Sequence, residues 1–179
     1  MLKNNLKAPA IAAGLLALPL AVMAFAPLSQ AETANRELTV TIISAKALDK
    51  ADEFSNGDLY AKITIDGEAQ KTPVIKGDNE IKPNWKITKK VGSGSHKVKV
   101  ELYDKDVTKD DPVDINRVDK KRDLDFTVTS GCRIEGFSST YKCGSSITRA
   151  GGEVKKAEIK FSVDVKKKGF EFGWGAGGP

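Results

Sequence analysis

Histidine is almost absent from this sequence, since His96 is the single example among 179 residues. An HExxH zinc motif needs two histidines, a common type of serine hydrolase needs a Gly-x-Ser-x-Gly elbow, and many nucleotide hydrolases need a glycine-rich phosphate loop. The sequence contains none of these motifs. We therefore expect the protein not to be an enzyme, although its plentiful Asp and Glu residues leave catalysis by carboxylates as an alternative.

A strong excess of one charge is also missing. The chain carries 29 Lys and Arg residues against 24 Asp and Glu residues, a formal net charge of +5. That charge falls by two, from +5 to +3, if Lys3 and Lys7 are removed with an N-terminal leader. The basic residues are spread along the chain among acidic ones, as on solvated strand faces. This pattern does not favour a nucleic acid as partner.

One long apolar run, Ala8–Phe25, follows two lysines near the N-terminus. Behind it comes Ser29-Gln30-Ala31, which places small residues at the two positions that a signal peptidase reads. We interpret residues 1–31 as a secretory signal peptide and residues 32–36 as a short linker, so that the protein is exported, either to a periplasm or out of the cell. A membrane anchor is the alternative, because the run approaches the length of a bilayer span.

Cysteine is scarce: Cys132 and Cys143 are the only two, with ten residues between them. A metal site would need further ligands nearby, and the one histidine is distant in sequence. In an oxidising compartment such a pair forms a disulfide. We therefore predict a disulfide that closes the loop between Gly131 and Gly144.

Long helical periodicity is absent after the apolar run, and alternation of apolar and polar residues takes its place. Such alternation is typical of half-buried antiparallel strands. The alternating stretches are Leu38–Ile42, Leu59–Ile65, Trp85–Val91, Val98–Leu102, Leu124–Val128 and Ala157–Val165. Polar and glycine-rich turns separate them. The pattern predicts an all-β sandwich or barrel over residues 37–166, followed by a glycine-rich tail, residues 167–179, that we expect to be mobile.

Two acidic clusters follow two of the predicted strands. Asp52 and Asp58 lie after the first strand, and Asp104 and Asp106 lie directly after the fourth. Carboxylates that meet at one rim of a sheet repel each other by about 4 kcal/mol per close pair at an effective dielectric of about 20. A hard cation such as Ca²⁺ relieves that repulsion. The clusters therefore predict a calcium site, with ordinary solvated turn residues as the alternative.

The order of these features resembles a C2 domain. The landmarks are, in order, Leu38–Leu48, Asp52, Gly57–Tyr60, Lys71-Thr72, Lys82–Trp85 and Val98–Asp106. The resemblance covers residues 37–114 well and residues 115–166 by strand pattern only. It implies an eight-stranded antiparallel β-sandwich with calcium loops at one end.

The resemblance also implies a set of calcium ligands. They are Asp52 and Asp58 from the first loop, and Asp104, Asp106 and Asp111 from the third. The third loop is one residue shorter than is usual in the family. Asp110 and Asp114 are therefore alternatives to Asp111 as the last ligand.

For function, the resemblance implies calcium-dependent binding to anionic phospholipid at a membrane surface. Phe54 in the first loop, with Val107 and Val113 in the third, would enter the interfacial region. An exported protein does not meet the cytosolic leaflet that many relatives bind. The alternative is therefore a calcium-stabilised structural or adhesion module that binds an envelope or extracellular protein or a glycan.

Overall fold

The computed structural model describes residues 35–49 and 57–167. The predicted signal peptide, most of the predicted linker, Asp52, Phe54 and all but the first residue of the glycine-rich tail lie outside the described residues.

Within the described residues the chain forms strands and turns. The twelve strands are β1 (Arg36–Ala47), β2 (Leu59–Ile65), β3 (Glu68–Lys71), β4 (Glu80–Ile81), β5 (Trp85–Val91), β6 (His96–Asp104), β7 (Asp111–Val113), β8 (Leu124–Val128), β9 (Arg133–Glu135), β10 (Tyr141–Lys142), β11 (Ile147–Ala150) and β12 (Ala157–Lys167). Six of them contain only two to four residues, which is why the count exceeds the predicted eight.

The strands belong to two antiparallel sheets. In the first, β12 lies between β11 and β1, and both β4 and β5 pair with the other side of β1. In the second, the order is β10, β9, β8, β6, β2 and β3, and β7 also pairs with β6. The paired strands run antiparallel throughout. The predicted antiparallel all-β fold is therefore confirmed.

A hydrophobic core lies between the two sheets, and the alternating residues of the longer strands supply most of it. In β1, Leu38, Val40 and Ile42 are completely buried. In β12, Phe161 is buried and stacks on Phe126 of the other sheet, with ring centroids 5.7 Å apart. Each fully buried large side chain of this kind stabilises the fold by roughly 1.5–3 kcal/mol. The period-two pattern was thus a reliable guide to which face of each strand is buried.

The pairing of β1 with β12 defines the two ends of the sandwich. Arg36 lies opposite Lys167 at one end, and Ala47 lies opposite Ala157 at the other. The described domain therefore begins and ends at the same end. The end of β1 and the turn before β12 both lie at the opposite end.

The predicted disulfide between Cys132 and Cys143 is present, with the two Cα atoms 5.4 Å apart. It closes the segment that contains β9 and β10. Phe137, in the middle of this segment, contacts both Phe126 and Phe161 through its ring. The segment is therefore fastened to the core by an aromatic side chain as well as by the covalent bond.

Reduction of the disulfide is expected to lower the free energy of unfolding by about 3 kcal/mol, because the unfolded chain regains the entropy of the short loop. Urea unfolding with and without reductant measures the loss, and a Cys132→Ser/Cys143→Ser variant should reproduce it. A mass gain of two hydrogens on reduction verifies the bond. Equal stability in both conditions would contradict the prediction.

Candidate metal centre

The register of β2, β6 and β7 brings three of the predicted ligands to one end of the sandwich. Leu59 lies opposite Asp104, so Asp58 precedes that pair, and Asp104 lies opposite Asp111. The backbone N–H of Asp58 donates to Asp104 Oδ1 at 2.8 Å, and the N–H of Lys105 donates to the Asp58 carbonyl at 2.8 Å. We refer to Asp58, Asp104, Asp106 and Asp111 as the acidic rim.

Asp104 is the buried member of the acidic rim, with 7% of its surface exposed. Burial raises the pKa of its carboxyl, the N–H of Asp58 opposes that shift, and the charges of Asp106 and Asp58 add to it. A carboxylate in such surroundings is stabilised by any cation that approaches it. Asp106, two residues further on, is exposed.

Lys155, which no sequence pattern predicted at this site, supplies a cation to the acidic rim. The ammonium of Lys155 donates to Asp111 Oδ2. This hydrogen bond lowers the pKa of Asp111 and raises the pKa of Lys155, to which the charges of Asp106 and Asp104 also contribute. Lys155 lies in the turn between β11 and β12 with a positive φ of 55°. The one feature of the sequence that could have suggested this contact is the position of Lys155 just before β12, at the same end of the sandwich as the end of β1.

Asp114 has a structural role, which decides against it as the last ligand. Its side chain is completely buried. Oδ1 accepts from the N–H of Asn116, and Oδ2 accepts from the N–H groups of Gly152 and Glu153, at 2.7–2.9 Å. The backbone of Asp114 also bonds Lys155 and Ala157. Asp114 thus holds the turn that carries Lys155.

The packing around Asp114 explains why glycine precedes this turn. A Cβ atom on Gly151 would lie 2.2 Å from the carbonyl oxygen of Asp114, far inside contact distance. Only glycine allows the two backbones to approach so closely.

Asp110, the other alternative ligand, already has partners outside the acidic rim. Its Oδ2 accepts from the hydroxyl of Tyr60 at 2.6 Å, and the ammonium of Lys71 lies 3.9 Å away. Burial and this hydrogen bond raise the pKa of Tyr60 above its ordinary value. The Tyr60 ring also stacks on Tyr103. Among Asp110, Asp111 and Asp114, Asp111 is therefore the best candidate for the last calcium ligand.

The chemistry of the acidic rim fits a hard cation, because its side chains offer only carboxylate oxygens. In residues 35–49 and 57–167, however, no group of three or more His, Cys, Asp or Glu side chains is placed to hold a metal ion. The fifth predicted ligand, Asp52, lies outside the described residues. The predicted ligand set as a whole remains a prediction.

Of the predicted membrane contacts that the structure describes, one is exposed and one is buried. Val107 is fully exposed at the tip of the third loop, whereas Val113 is only 1% exposed and packs in the core opposite Leu102. The expectation that Val113 contacts a membrane is therefore wrong. Its position in β7, an extra strand beside β6, turns its side chain inward. Val154, next to Lys155, is exposed and was not predicted.

Among the described residues, no helix has the length and apolar character needed to cross a membrane.

Comparison by sequence finds two matches. The C2 domain family profile matches residues 36–134. A stretch of 79 residues is 38% identical to 16 kDa phloem protein 2 of Arabidopsis thaliana. It covers 42% of this chain and 53% of that protein, so the chain spans about half the length of the curated relative it matches.

Comparison by structure finds similar folds. A single C2 domain of a plant extended synaptotagmin 1 has a TM-score of 0.51 and 12% identity, over 75% of this chain and 97% of that one. The calcium-bound pair of C2 domains of extended synaptotagmin 2 has a TM-score of 0.50 and 16% identity, over 74% of this chain and 46% of that one. At these identities the similarity concerns the fold alone.

Proposed function

The chain belongs to the C2 domain family, and from that premise we propose that its acidic rim binds Ca²⁺ and that the loaded rim binds anionic phospholipid. The observation that carries this proposal is the convergence of Asp58, Asp104 and Asp111 from separate segments. Bound Ca²⁺ would make a negative rim positive and offer coordination sites to phosphate oxygens. Calcium sites of extracellular modules commonly have a Kd of about 10⁻⁴ to 10⁻³ M.

The surroundings of the acidic rim suit a membrane surface. Val107 and Val154 project from two loops, and both are exposed. Lys105 and Lys109 flank Val107 in the third loop and are exposed as well. Apolar tips between cations can enter the interfacial region while the cations remain with the headgroups. Phe54 remains a proposed third tip.

The proposal includes export, to a periplasm or out of the cell. The disulfide between Cys132 and Cys143 supports it, because such bonds persist in oxidising compartments. We also propose that the protein is not an enzyme. Its one histidine, His96, bonds Asp66 at 2.8 Å and lies at the opposite end of β6 from Asp104.

Vesicle sedimentation tests the proposed function. The protein should pellet with phosphatidylcholine vesicles that contain phosphatidylglycerol when Ca²⁺ is present. It should remain in solution with EDTA or with phosphatidylcholine alone. Val107→Ser/Val154→Ser should weaken pelleting without changing calcium affinity. Pelleting that is equal with Ca²⁺ and with EDTA would overturn the calcium-dependent mechanism.

The second candidate function is a structural or adhesion module for an envelope or extracellular protein or a glycan. The contact between Lys155 and Asp111 favours it, because a rim neutralised from within can serve purely to hold loops in place. A melting temperature that rises with Ca²⁺ while no vesicle pellets would support this candidate over the first.

Replacement of Lys155 by methionine is expected to strengthen Ca²⁺ binding about tenfold, because a competing ammonium no longer occupies Asp111. Methionine keeps the length and the apolar stem of the side chain. Calorimetric titration with Ca²⁺ measures the change.

Lys99→Met is the matched control for this substitution. It breaks another lysine–aspartate pair, with Asp123 at 2.6 Å, on the face of β6. Its calcium affinity should equal that of the wild type. If Lys155→Met binds Ca²⁺ no more tightly than Lys99→Met, then Lys155 does not compete for the rim.

A further inference from the structure

A cleft of about 560 Å³ opens where the edges of the two sheets meet, and none of its lining residues belongs to the acidic rim. One wall is the loop of residues 116–121, another is the disulfide-closed segment around Phe137, and the third is β11. Gly136 allows this arrangement, since its φ is +122° and a Cβ atom would lie 2.9 Å from the Phe126 Cα. The volume falls in the ordinary range of small-molecule sites.

Arg149 of β11 is the fixed cation of this cleft. Its guanidinium lies 4.3 Å from the centroid of the Phe137 ring and 5.4 Å from that of Tyr141. It also donates to the Tyr141 hydroxyl at 3.1 Å. The aromatic rings hold the guanidinium in place without neutralising it. Part of its planar set of donors is therefore oriented and available to an anion.

Cations outnumber carboxylates in the lining of the cleft. Arg117 and Lys121 line it together with Arg149, and the ion pairs among the described residues include none of the three. Asp125 is the one carboxylate that the described part of the chain contributes to the lining, and it lies 4.0 Å from the ammonium of Lys99. Three cations around one concave surface, with a single shared carboxylate, form a site for a multiply charged anion.

The uncharged residues of the lining indicate what kind of group the anionic ligand carries besides its charge. The lining also includes Ser138, which carries a hydroxyl group, and the apolar residues Leu124 and Phe137. Hydroxyl groups can bond the oxygens of a polyol, and an aromatic face suits its carbon skeleton. The volume is several times that of a bare phosphate ion.

We propose that this cleft is a calcium-independent binding site for a phosphate monoester of a small polyol. Such a group is either a free metabolite or the headgroup of a lipid, and both present the same phosphate oxygens. Arg149 binds them through its fork of donors, while Arg117 and Lys121 supply charge at the entrance.

Calorimetric titration in EDTA tests the proposal, with sn-glycerol 3-phosphate as the probe and glycerol as its uncharged counterpart. We expect saturable binding of the phosphate and none of glycerol. Arg117→Ser/Lys121→Ser changes only exposed side chains and should weaken binding about tenfold. Lys86→Ser/Lys90→Ser removes the same charge from two exposed positions on β5, away from the cleft, and should leave affinity unchanged.

The variant Arg149→Lys distinguishes the contribution of the planar guanidinium donors to binding from that of the positive charge. It should weaken binding about fivefold, because lysine keeps the charge and loses the planar geometry. If loss of the ring contacts unfolds this variant, the double substitution at the entrance still decides the matter. Equal losses of affinity in the Arg117/Lys121 variant and in the Lys86/Lys90 variant would overturn the proposal.

Vesicles that contain phosphatidic acid distinguish the two sources of the ligand. EDTA-resistant pelleting that the entrance substitutions abolish supports a lipid headgroup. Binding of soluble glycerol 3-phosphate without such pelleting supports a free metabolite. Absence of both results would refute the site. Because EDTA is present throughout, this outcome is independent of whether the acidic rim binds Ca²⁺.

Discussion

Asp104→Asn/Asp106→Asn is expected to abolish most of the stabilisation that Ca²⁺ gives to the protein. At a Ca²⁺ concentration of about one hundred times Kd, binding stabilises the folded state by about 2.7 kcal/mol. Asn cannot replace the charge of two carboxylates at the proposed site. The metal-free variant should be no less stable than the wild type, since burial already favours the neutral form of Asp104 and Asn Oδ1 can still accept from Asp58.

Thermal unfolding in Ca²⁺ and in EDTA measures both parts of this prediction. The wild type should melt at a clearly higher temperature in Ca²⁺, and the variant should melt at nearly the same temperature in both. Asp78→Asn/Asp119→Asn removes two exposed loop aspartates elsewhere and should behave as the wild type does. A full calcium response in the variant would show that the rim does not hold the ion.

Asp114→Ala is expected to destabilise the protein by about 3 kcal/mol or more, because it leaves three backbone N–H groups without an acceptor. Those groups belong to Asn116, Gly152 and Glu153. The completely buried position of Asp114 limits the access of water to them. The loss should be larger than that caused by reduction of the disulfide if the turn before β12 opens as well.

Urea unfolding measured by fluorescence determines the effect of Asp114→Ala. Asp119→Ala, in the exposed loop that follows, is the control and should change stability little. Asp114→Asn should lie between the two, since it keeps one acceptor oxygen. A loss below about 1 kcal/mol for Asp114→Ala would mean that water replaces the carboxylate at little cost.

The strands were predictable from the sequence because their signal is local. Alternation in Leu38–Ile42 and in Ala157–Val165 reports which face is buried without knowledge of the partner strand. The convergence of Asp58 with Asp104 was predictable for a related reason, since both lie at strand ends. Val113 was misjudged because three residues of β7 are too few to show a period.

The remaining features depend on contacts between distant parts of the chain. Lys155 meets Asp111 across 44 residues of sequence, and Asp114 meets Gly152 across 38. No local pattern marks a lysine in a turn as the neutraliser of an acidic loop, or an aspartate as a buried acceptor. The cleft around Arg149 likewise exists only after the disulfide-closed segment has packed against β11.

The pairing of Arg36 with Lys167 has a practical consequence for handling this domain. Arg36 and Lys167 both lie roughly 35 Å from the acidic rim, which is about the length of the twelve-residue strand β1. A tether, fluorophore or fused domain joined at either point would leave the rim unobstructed. If the domain is immobilised through Arg36 or Lys167, the loops of the acidic rim face the solution and are accessible to a vesicle or a protein partner.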